Sequence, residues 1–441
     1  MRTSFASEVW DPVWRGYDAS APDDQPLFAS LTPEARVSAR KWVHTAWELH
    51  RKGIDPYARW IARARRHGIS PWVSMRMNDI HDVNDERSYM HSEFWRRNPQ
   101  FRRSPYRDGF RERAFDYGHA EVRAHHMALV RELLERYDID GLELDWMRFG
   151  FHFRPGQEGP GAELLTGFMR EVRKLADARG RRRGRKILLG ARVPSRPHTA
   201  KGLGMDAVRW AREGLVDMLV TTPFWASIEP DMPIELWREL LRGTGVTFAA
   251  GLEVLIRPYH DYPKPPLNSL ETARGAASSL LDRGADRVYL FNYMDSQTAM
   301  ADLENYPRLL REVGEIETMA GKRRRHVLTY SDTWAPGEPA APPMLPVQGA
   351  EGRWSSFRIP TGPKPAQAFV LLGFAGAASC AVRLNGEPCA AVGERTMPVP
   401  APAAPMQAFR IPAAAMNRGY NLIEVEWTSA GRLDWVEIVA G

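Results

Sequence analysis

The sequence predicts an α/β fold: a (β/α)8 barrel of the TIM type with an irregular or incomplete start, followed by an all-β sandwich. Three observations support this prediction. Six candidate strands alternate with helical patterns before residue 300, which is typical of the βαβ units of a parallel sheet. A proline-rich stretch at residues 334–346 indicates a linker. After it the chain contains short alternating strands, with a strong hairpin-turn signal at Asn385-Gly386.

The candidate strands of the barrel occupy residues 69–77, 141–147, 187–193, 216–224, 246–254 and 287–293. Apolar residues at helical spacing fill the intervals, at residues 120–136, 162–178, 205–212, 233–241 and 270–283. A complete barrel needs eight strands, but residues 1–40 contain no convincing strand. Either the opening strands are irregular or the chain begins inside the first one.

The length of 441 residues fits one barrel of roughly 250 residues and a smaller module. We therefore predict a barrel domain at residues 1–325 and a β-sandwich, jelly-roll-like accessory domain at residues 326–441. The two cysteines, Cys380 and Cys389, flank the hairpin turn. That turn places Cys389 opposite Val382, so a disulfide would require distortion and both thiols are predicted to be free.

The strand predicted at residues 141–147 contains the most informative pattern of the chain. Strand side chains alternate between faces, so Glu143, Asp145 and Met147 share one face. Two carboxylates on one face of a buried strand are costly unless they are paired, hydrated or used. A helix, a turn and a strand ending in acids are typical of the C-terminal rim of a barrel, where catalysis occurs. Asp145 is therefore the best candidate for a catalytic residue, and a structural acid in a rim hydrogen-bond network is the alternative.

The chain resembles glycoside hydrolase barrels, above all the poorly characterised bacterial glycosyl-hydrolase-like families that are described as family-10-like. The resembling segments are residues 76–82, 115–117, 137–149 and 290–293, within a resemblance that spans residues 7–315. Asp140, Glu143 and Asp145 also fit the first three acidic places of the family 18 chitinase pattern Asp-Gly-x-Asp-x-Asp-x-Glu. Its fourth place, the chitinase proton donor, is Met147 here, which argues against chitinase chemistry. The resemblance implies a hydrolase that cleaves a glycosidic bond in a poly- or oligosaccharide.

Glycoside hydrolysis by two carboxylates needs a partner for Asp145, and Glu253 is the candidate. Glu253 ends the strand predicted at residues 246–254. If residues 141–147 form strand four, this is strand seven, and many retaining glycosidase barrels place their two carboxylates on strands four and seven. A salt bridge to Arg257 or Arg192 is the structural alternative for Glu253. A non-catalytic carbohydrate-binding protein on a degenerate barrel is the competing function, favoured by Met147 and by the missing opening strands.

Polar and aromatic residues concentrate at the predicted strand ends, where they are expected to bind substrate. Glu143 is more strongly expected to orient Arg76 or Arg192 than to react. Trp225 could stack on a sugar ring, and a packing role is equally compatible with the sequence. The full set of predicted substrate-binding residues is Arg76, Asn78, Asp79, His81, Glu143, Arg148, Arg192, Trp225, Asn292 and Tyr293.

The composition of the chain disfavours some classes of binding partner and is compatible with others. The net charge is +6, and basic runs at residues 179–186 and 322–325 are expected at solvated loop ends. No aromatic residues interleave these runs, which disfavours nucleic acid, whereas an acidic carbohydrate is compatible with the charge. No metal-site spacing, dinucleotide motif or phosphate loop occurs in the sequence, so we predict no cofactor and no metal.

The sequence has no apolar run long enough to span a membrane, and its N-terminus has no signal-peptide core. It therefore predicts a cytoplasmic protein as written, or a secreted or periplasmic one if the N-terminus is incomplete. The sequence leaves the oligomeric state open.

Overall fold

The computed structural model of the protein describes residues 1–107, 109–224, 228–229, 232–293 and 300–441. These residues group into two compact units. The first consists of Met1–Val193 with Ala200–Leu219, and the second of Pro194–Thr199 with Val220–Gly441.

The first unit contains strands β1 (Trp72–Arg76), β2 (Gly141–Asp145) and nearly all of β3 (Leu188–Pro194). β1 pairs in parallel with β2, and β2 pairs in parallel with β3. The helices in this part of the chain are α1 (Pro33–Arg51), α2 (Pro56–Arg66), α3 (Glu93–Arg97), α4 (Ala120–Arg136), α5 (Glu158–Arg183), α6 (Pro197–Gly202) and α7 (Ala207–Arg212).

The second unit continues the α/β pattern. After β4 (Met218–Thr222) it contains α8 (Ile234–Leu240), β5 (Thr247–Leu252), α9 (Leu270–Asp282) and β6 (Arg287–Leu290). Two short helices follow, α10 (Tyr306–Glu312) and α11 (Ile316–Met319). β5 pairs in parallel with β6.

The strands β1 to β6 form one sheet in chain order, and all six predicted strands are confirmed. The sheet has six strands in the described part of the chain, so the structure does not show the expected eight-stranded barrel. Residues before α1 form turns and a single bridge between Thr3 and Pro12. Four prolines between residues 12 and 33 remove backbone donors that a further strand would need.

The sequence suggested that the basic run at residues 179–186 is a loop end. The structure shows instead that most of this run belongs to a helix. Helix α5 continues through Arg183 and ends at Gly184, which adopts a left-handed φ of 68°. Arginine is a good helix former, so a charged run can extend a helix as well as a loop. Arg183 donates to the carbonyl of Leu134, and Arg185 donates to the carboxylate of Asp140 at 2.8 Å. Part of the positive charge therefore anchors α5 to the start of β2.

The C-terminal part of the chain is antiparallel β, as predicted, but its strands form one sheet, so the structure does not show the expected sandwich. Its core contains buried residues from distant strands, among them Phe357, Leu372, Val425 and Val436. Its strands form one nine-stranded sheet in the order β7-β15-β10-β13-β12-β11-β14-β9, with β8 paired to β15. The strands are β7 (Arg324–Val327), β8 (Val347–Gly349), β9 (Trp354–Pro360), β10 (Ala368–Phe374), β11 (Cys380–Leu384), β12 (Glu387–Arg395), β13 (Met406–Arg410), β14 (Tyr420–Trp427) and β15 (Gly431–Ala440). Val382 pairs with Cys389 across the hairpin, and both cysteines are free.

A buried ion pair joins the first and last strands of this domain in the chain. Arg325 on β7 contacts Glu437 on β15 at 2.8 Å, and both side chains are 0% exposed. Burial raises the pKa of Glu437, and the charge of Arg325 opposes that effect. The expectation that residues 322–325 are a solvated loop end is therefore wrong for Arg325. The predicted domain border between residues 325 and 326 falls inside β7, and the division into a barrel and an accessory domain stays a proposal.

We expect Arg325→Leu to lower the free energy of unfolding by about 3–5 kcal/mol, because it leaves the Glu437 carboxylate buried without its partner. Arg410→Leu, on the exposed side of the same sheet, is the matched control and should change it by about 0.5 kcal/mol or less. Urea unfolding of both variants measures the difference. Equal stability of the two variants would mean that the buried pair contributes nothing to the domain.

Candidate active site

Three neighbouring strands bring the predicted site residues of the first unit together. In the register of the sheet Arg76 of β1 lies opposite Asp145 of β2, which lies opposite Arg192 of β3. Residues directly opposite in neighbouring strands point to the same face, so these three side chains form one layer. Glu143 lies one layer deeper, two residues earlier on β2.

The acidic face of β2 lies away from the helices. On the opposite face Trp146 packs against Phe168 of α5 and Trp210 of α7, with ring centroids 5.7 and 6.2 Å apart. On the acidic face Ser74 of β1 is exposed to solvent in the middle of its strand. This face is therefore exposed to solvent at Ser74, whereas Glu143, Asp145 and Arg192 on the same face are buried.

Asp145 is held in one orientation by two donors. Its Oδ1 accepts a hydrogen bond from the backbone N–H of Arg148 at 2.9 Å and from Nε of Arg192 at 3.0 Å. The side chains of Asp145 and Arg192 are 1% and 0% exposed. The other oxygen, Oδ2, is buried and has no hydrogen-bond partner among the described residues. Oδ2 therefore keeps the acceptor capacity of a carboxylate oxygen that the described residues do not use.

Glu143 is buried below this layer, and its Oε1 accepts a hydrogen bond from Ser74 at 2.6 Å. The role of Glu143 in orienting Arg76 or Arg192 stays a prediction, and the ion pairs described for these two arginines are with other acids. Arg76 pairs with Asp79, and Arg192 pairs with Asp145. Glu143 therefore lies beside Ser74, one layer deeper than Arg76, Asp145 and Arg192.

Asp79 organises the loop that follows β1. One of its oxygens pairs with Nη1 of Arg76 at 2.9 Å, and the other contacts Nδ1 of His81. Burial acts to raise the pKa of Asp79, but the hydrogen bond from His81 and the charge of Arg76 outweigh it and lower that pKa. Asp79 is thus a buried anion with two basic partners.

His81 connects Asp79 to Arg148. Its Nε2 lies 3.0 Å from Nη2 of Arg148. A guanidinium can only donate, so Nε2 is the acceptor and the imidazole proton is on Nδ1, where it is donated to Asp79. Asn78 instead binds the backbone: its Nδ2 donates to the carbonyls of Phe115 and Phe151 at 2.9 Å. That use of its amide favours a structural role for Asn78.

The second unit contains the other predicted carboxylate, Glu253, directly after β5. Phe248 of β5 packs against Trp237 of α8, with ring centroids 6.2 Å apart, so Phe248 faces the helices. By alternation Gly251 and Glu253 belong to the opposite face. A Cβ at Gly251 would lie 2.0 Å from the Thr222 side chain, so only glycine fits beneath Glu253 without displacing its neighbour.

Glu253 is buried and lies beside two predicted substrate-binding residues. Its Oε2 accepts a hydrogen bond from Asn292 at 3.2 Å, and its backbone carbonyl accepts one from the Tyr293 hydroxyl at 3.1 Å. Asn292 has a positive φ of 63°, which asparagine tolerates better than most residues.

The predicted site residues thus fall into two groups, each inside one unit. Trp225 lies outside the described residues. The first unit brings together Arg76, Asn78, Asp79, His81, Glu143, Asp145, Arg148 and Arg192, and the second brings together Glu253, Asn292 and Tyr293.

Sequence analysis missed one buried carboxylate, Glu229 in the second unit. Glu229 is 2% exposed and accepts hydrogen bonds from Ser195 and Ser331, the latter at 2.9 Å, while Arg196 forms an ion pair with it. Burial raises the pKa of Glu229, and the charge of Arg196 opposes this. No motif surrounds Glu229 in the sequence, and its partner Ser331 is 102 residues away. The cluster fixes the segment around Ser331 to the end of β3.

No cluster of three histidine, cysteine or acidic side chains among the described residues could hold a metal ion. Within the same part of the chain, no helix is long and apolar enough to cross a membrane.

Comparisons with known proteins give distant likenesses only. No family model matches the sequence, so the expected family-10-like membership stays a hypothesis, and no curated protein matches it. A family 18 N-acetylglucosaminidase from Paenibacillus barengoltzii shares 14% identity over 44% of this chain and 77% of its own, with a TM-score of 0.31. A chitinase from Bacillus thuringiensis shares 9% identity over 96% of this chain and 86% of its own, with a TM-score of 0.36.

A third solved structure is a cycloisomaltooligosaccharide glucanotransferase from a Paenibacillus species, with 10% identity over 86% of this chain and a TM-score of 0.30. The chain spans 47% of the length of that transferase. TM-scores of 0.30 to 0.36 are too low to establish a shared fold or activity.

We expect Asp145→Asn and Arg192→Met each to lower the free energy of unfolding by about 3–5 kcal/mol, because each breaks a buried ion pair. The double variant should lose less than the sum of the two single losses, with a coupling of about 0.5–3 kcal/mol. Urea unfolding of the native chain, the two single variants and the double variant gives this coupling as a double-mutant cycle. Strict additivity would show that the two side chains do not stabilise each other.

Proposed function

We propose that this protein is a glycoside hydrolase that cleaves a glycosidic bond in a poly- or oligosaccharide, with Asp145 and Glu253 as its two carboxylates. The observation that supports this most is the position of Asp145. It ends β2 on the face turned away from the helices, between arginines of both neighbouring strands. The carboxyl ends of barrel strands are where enzymes of that architecture place their reacting groups.

The surroundings of the two carboxylates support a different catalytic role for each. Hydrolysis needs one carboxylic acid to protonate the leaving oxygen and one carboxylate to act as nucleophile or base. Asp145 suits the second role, since Arg192 holds its Oδ1 in place while Oδ2 keeps its acceptor capacity. Glu253 then is the proton donor, and Asn292 on its Oε2 orients the carboxyl group.

One observation favours binding without turnover as the second candidate function. Asp145 is 1% exposed and paired with Arg192, as a purely structural carboxylate would be. Met147 also replaces the proton donor of the related chitinase pattern. Oligosaccharide binding measured together with release of reducing sugar separates the two functions. Binding without release of reducing sugar would establish a carbohydrate-binding protein.

Asp145→Asn should reduce hydrolysis by about a thousandfold or more, a barrier change of ~4 kcal/mol, because the amide cannot stabilise an oxocarbenium-like transition state. Asp140→Asn is the matched control, since it removes the same charge from the opposite end of β2, where Asp140 pairs with Arg65. Released reducing sugar is measured at a temperature where both variants are folded by circular dichroism. Activity of Asp145→Asn within about tenfold of the native chain would exclude a direct role for Asp145.

The pH–rate profile of the native chain should be bell-shaped, because one carboxyl group must be protonated and the other ionised. Glu253→Gln should remove the alkaline limb along with most of the activity, since that limb reports loss of the acid proton. Measurement of kcat/KM across the pH range on an oligosaccharide with a poor leaving group tests this. A native alkaline limb in Glu253→Gln would assign the acid to another residue.

A further inference from the structure

We propose that Arg76 and Arg148 form a binding site for an acidic group of the glycan, so that the substrate is a saccharide bearing carboxylates or sulfate esters. This inference rests on the proposed function, because it names the substrate class of the same site. Both sources of negative charge present oxygens that guanidinium groups bind in the same way.

The first observation is which charges face the solvent. The Arg76 side chain is 36% exposed, whereas the carboxylates of Asp79 and Asp145 are 3% and 1% exposed. Glu143, the third acid of this region, lies one layer deeper and is also buried. Asp145 shares its layer with Arg76 and Arg192, and Arg148 is 7% exposed, so the accessible charge among these acids and arginines is that of Arg76. An approaching ligand therefore meets a cation first.

The second observation is that one buried anion positions both guanidinium groups. Asp79 pairs with Arg76 directly and contacts His81, whose Nε2 in turn accepts a hydrogen bond from Arg148. Such a connected network reduces the conformational entropy that the arginine side chains would lose on binding a ligand. An exposed arginine without such partners would lose more conformational entropy when it binds a ligand.

The third observation is that Arg76 and Arg148 are both neighbours of Asp145, the proposed reacting group. The backbone N–H of Arg148 donates to Oδ1 of Asp145 at 2.9 Å, and Arg76 is the register partner of Asp145. An acidic substituent held by the two arginines would therefore lie on a sugar at or next to the scissile bond. Binding energy at that position can contribute to orientation of the substrate.

The simpler reading is that the ion pair between Arg76 and Asp79 only fixes the loop after β1. Removal of Arg76 distinguishes the two readings, because a structural ion pair has no preference between acidic and neutral glycans. Arg76 is partly exposed, so its replacement should leave the fold intact. Arg66, exposed on the last turn of α2, supplies a control that removes the same charge elsewhere.

The experiment measures binding by calorimetry with the full chain and three oligosaccharide probes of equal length: a polyuronate, a sulfated galactan fragment and a neutral cello-oligosaccharide. We expect an acidic probe to bind at least tenfold more tightly than the neutral one, and the preference to weaken with added salt. Arg76→Gln should remove that preference while Arg66→Gln keeps it. Arg76→Lys should keep only part of it, because lysine retains the charge but not the bidentate geometry.

The outcomes separate this inference from the proposed function. If neutral glycans are hydrolysed and Arg76→Gln does not alter binding of the acidic probes, the acidic-substrate inference is wrong while the hydrolase proposal stands. If acidic probes bind through Arg76 but no probe releases reducing sugar, the inference stands and the hydrolase proposal fails. A preference for only the polyuronate or only the sulfated probe identifies which acidic group the site recognises.

Discussion

The buried ion pair between Asp145 and Arg192 is the interaction on which the site of the first unit depends. At 1% and 0% exposure neither charge can be hydrated by bulk water, so each needs the other. The pair joins β2 to β3 and fixes the Asp145 carboxylate with one oxygen bound and the other able to accept. A similar constraint operates in the antiparallel domain, where Arg325 and Glu437 join its first and last strands.

The same physics explains why the site presents arginine to the solvent. An acid that is buried beside a guanidinium is stabilised, whereas the long arginine side chain can keep part of its surface in water. Asp79 and Arg76 follow this arrangement. The result is a strand-end surface on which Arg76 is accessible, while Asp79, Asp145, Arg148 and Arg192 are buried. Such a surface would suit a charged saccharide better than a neutral one.

Local patterns in the sequence were enough to predict the six parallel strands and the shared face of Glu143 and Asp145, because strand alternation is a property of neighbouring residues. They also indicated that Asn292 and Tyr293 end a strand at the rim of the predicted site. The contact of His81 with Arg148 and that of Glu229 with Ser331 join residues 67 and 102 positions apart, so no local pattern could reveal them. The burial of Arg325 was missed for the same reason, since its partner lies 112 residues away. The eight-stranded barrel was inferred from the architecture rather than from the opening residues, which form turns.

The central claim is that Asp145 acts on a glycosidic bond at the ends of β1 to β3. A crystal structure of the native chain with a thio-linked acidic oligosaccharide, which resists hydrolysis, tests it most directly. The account predicts an anomeric carbon about 3–3.5 Å from Oδ2 of Asp145 and the Glu253 carboxyl about 2.6–3.2 Å from the inter-sugar atom. A saccharide bound away from these strand ends, with Asp145 in contact only with Arg192 and the Arg148 amide, would contradict it.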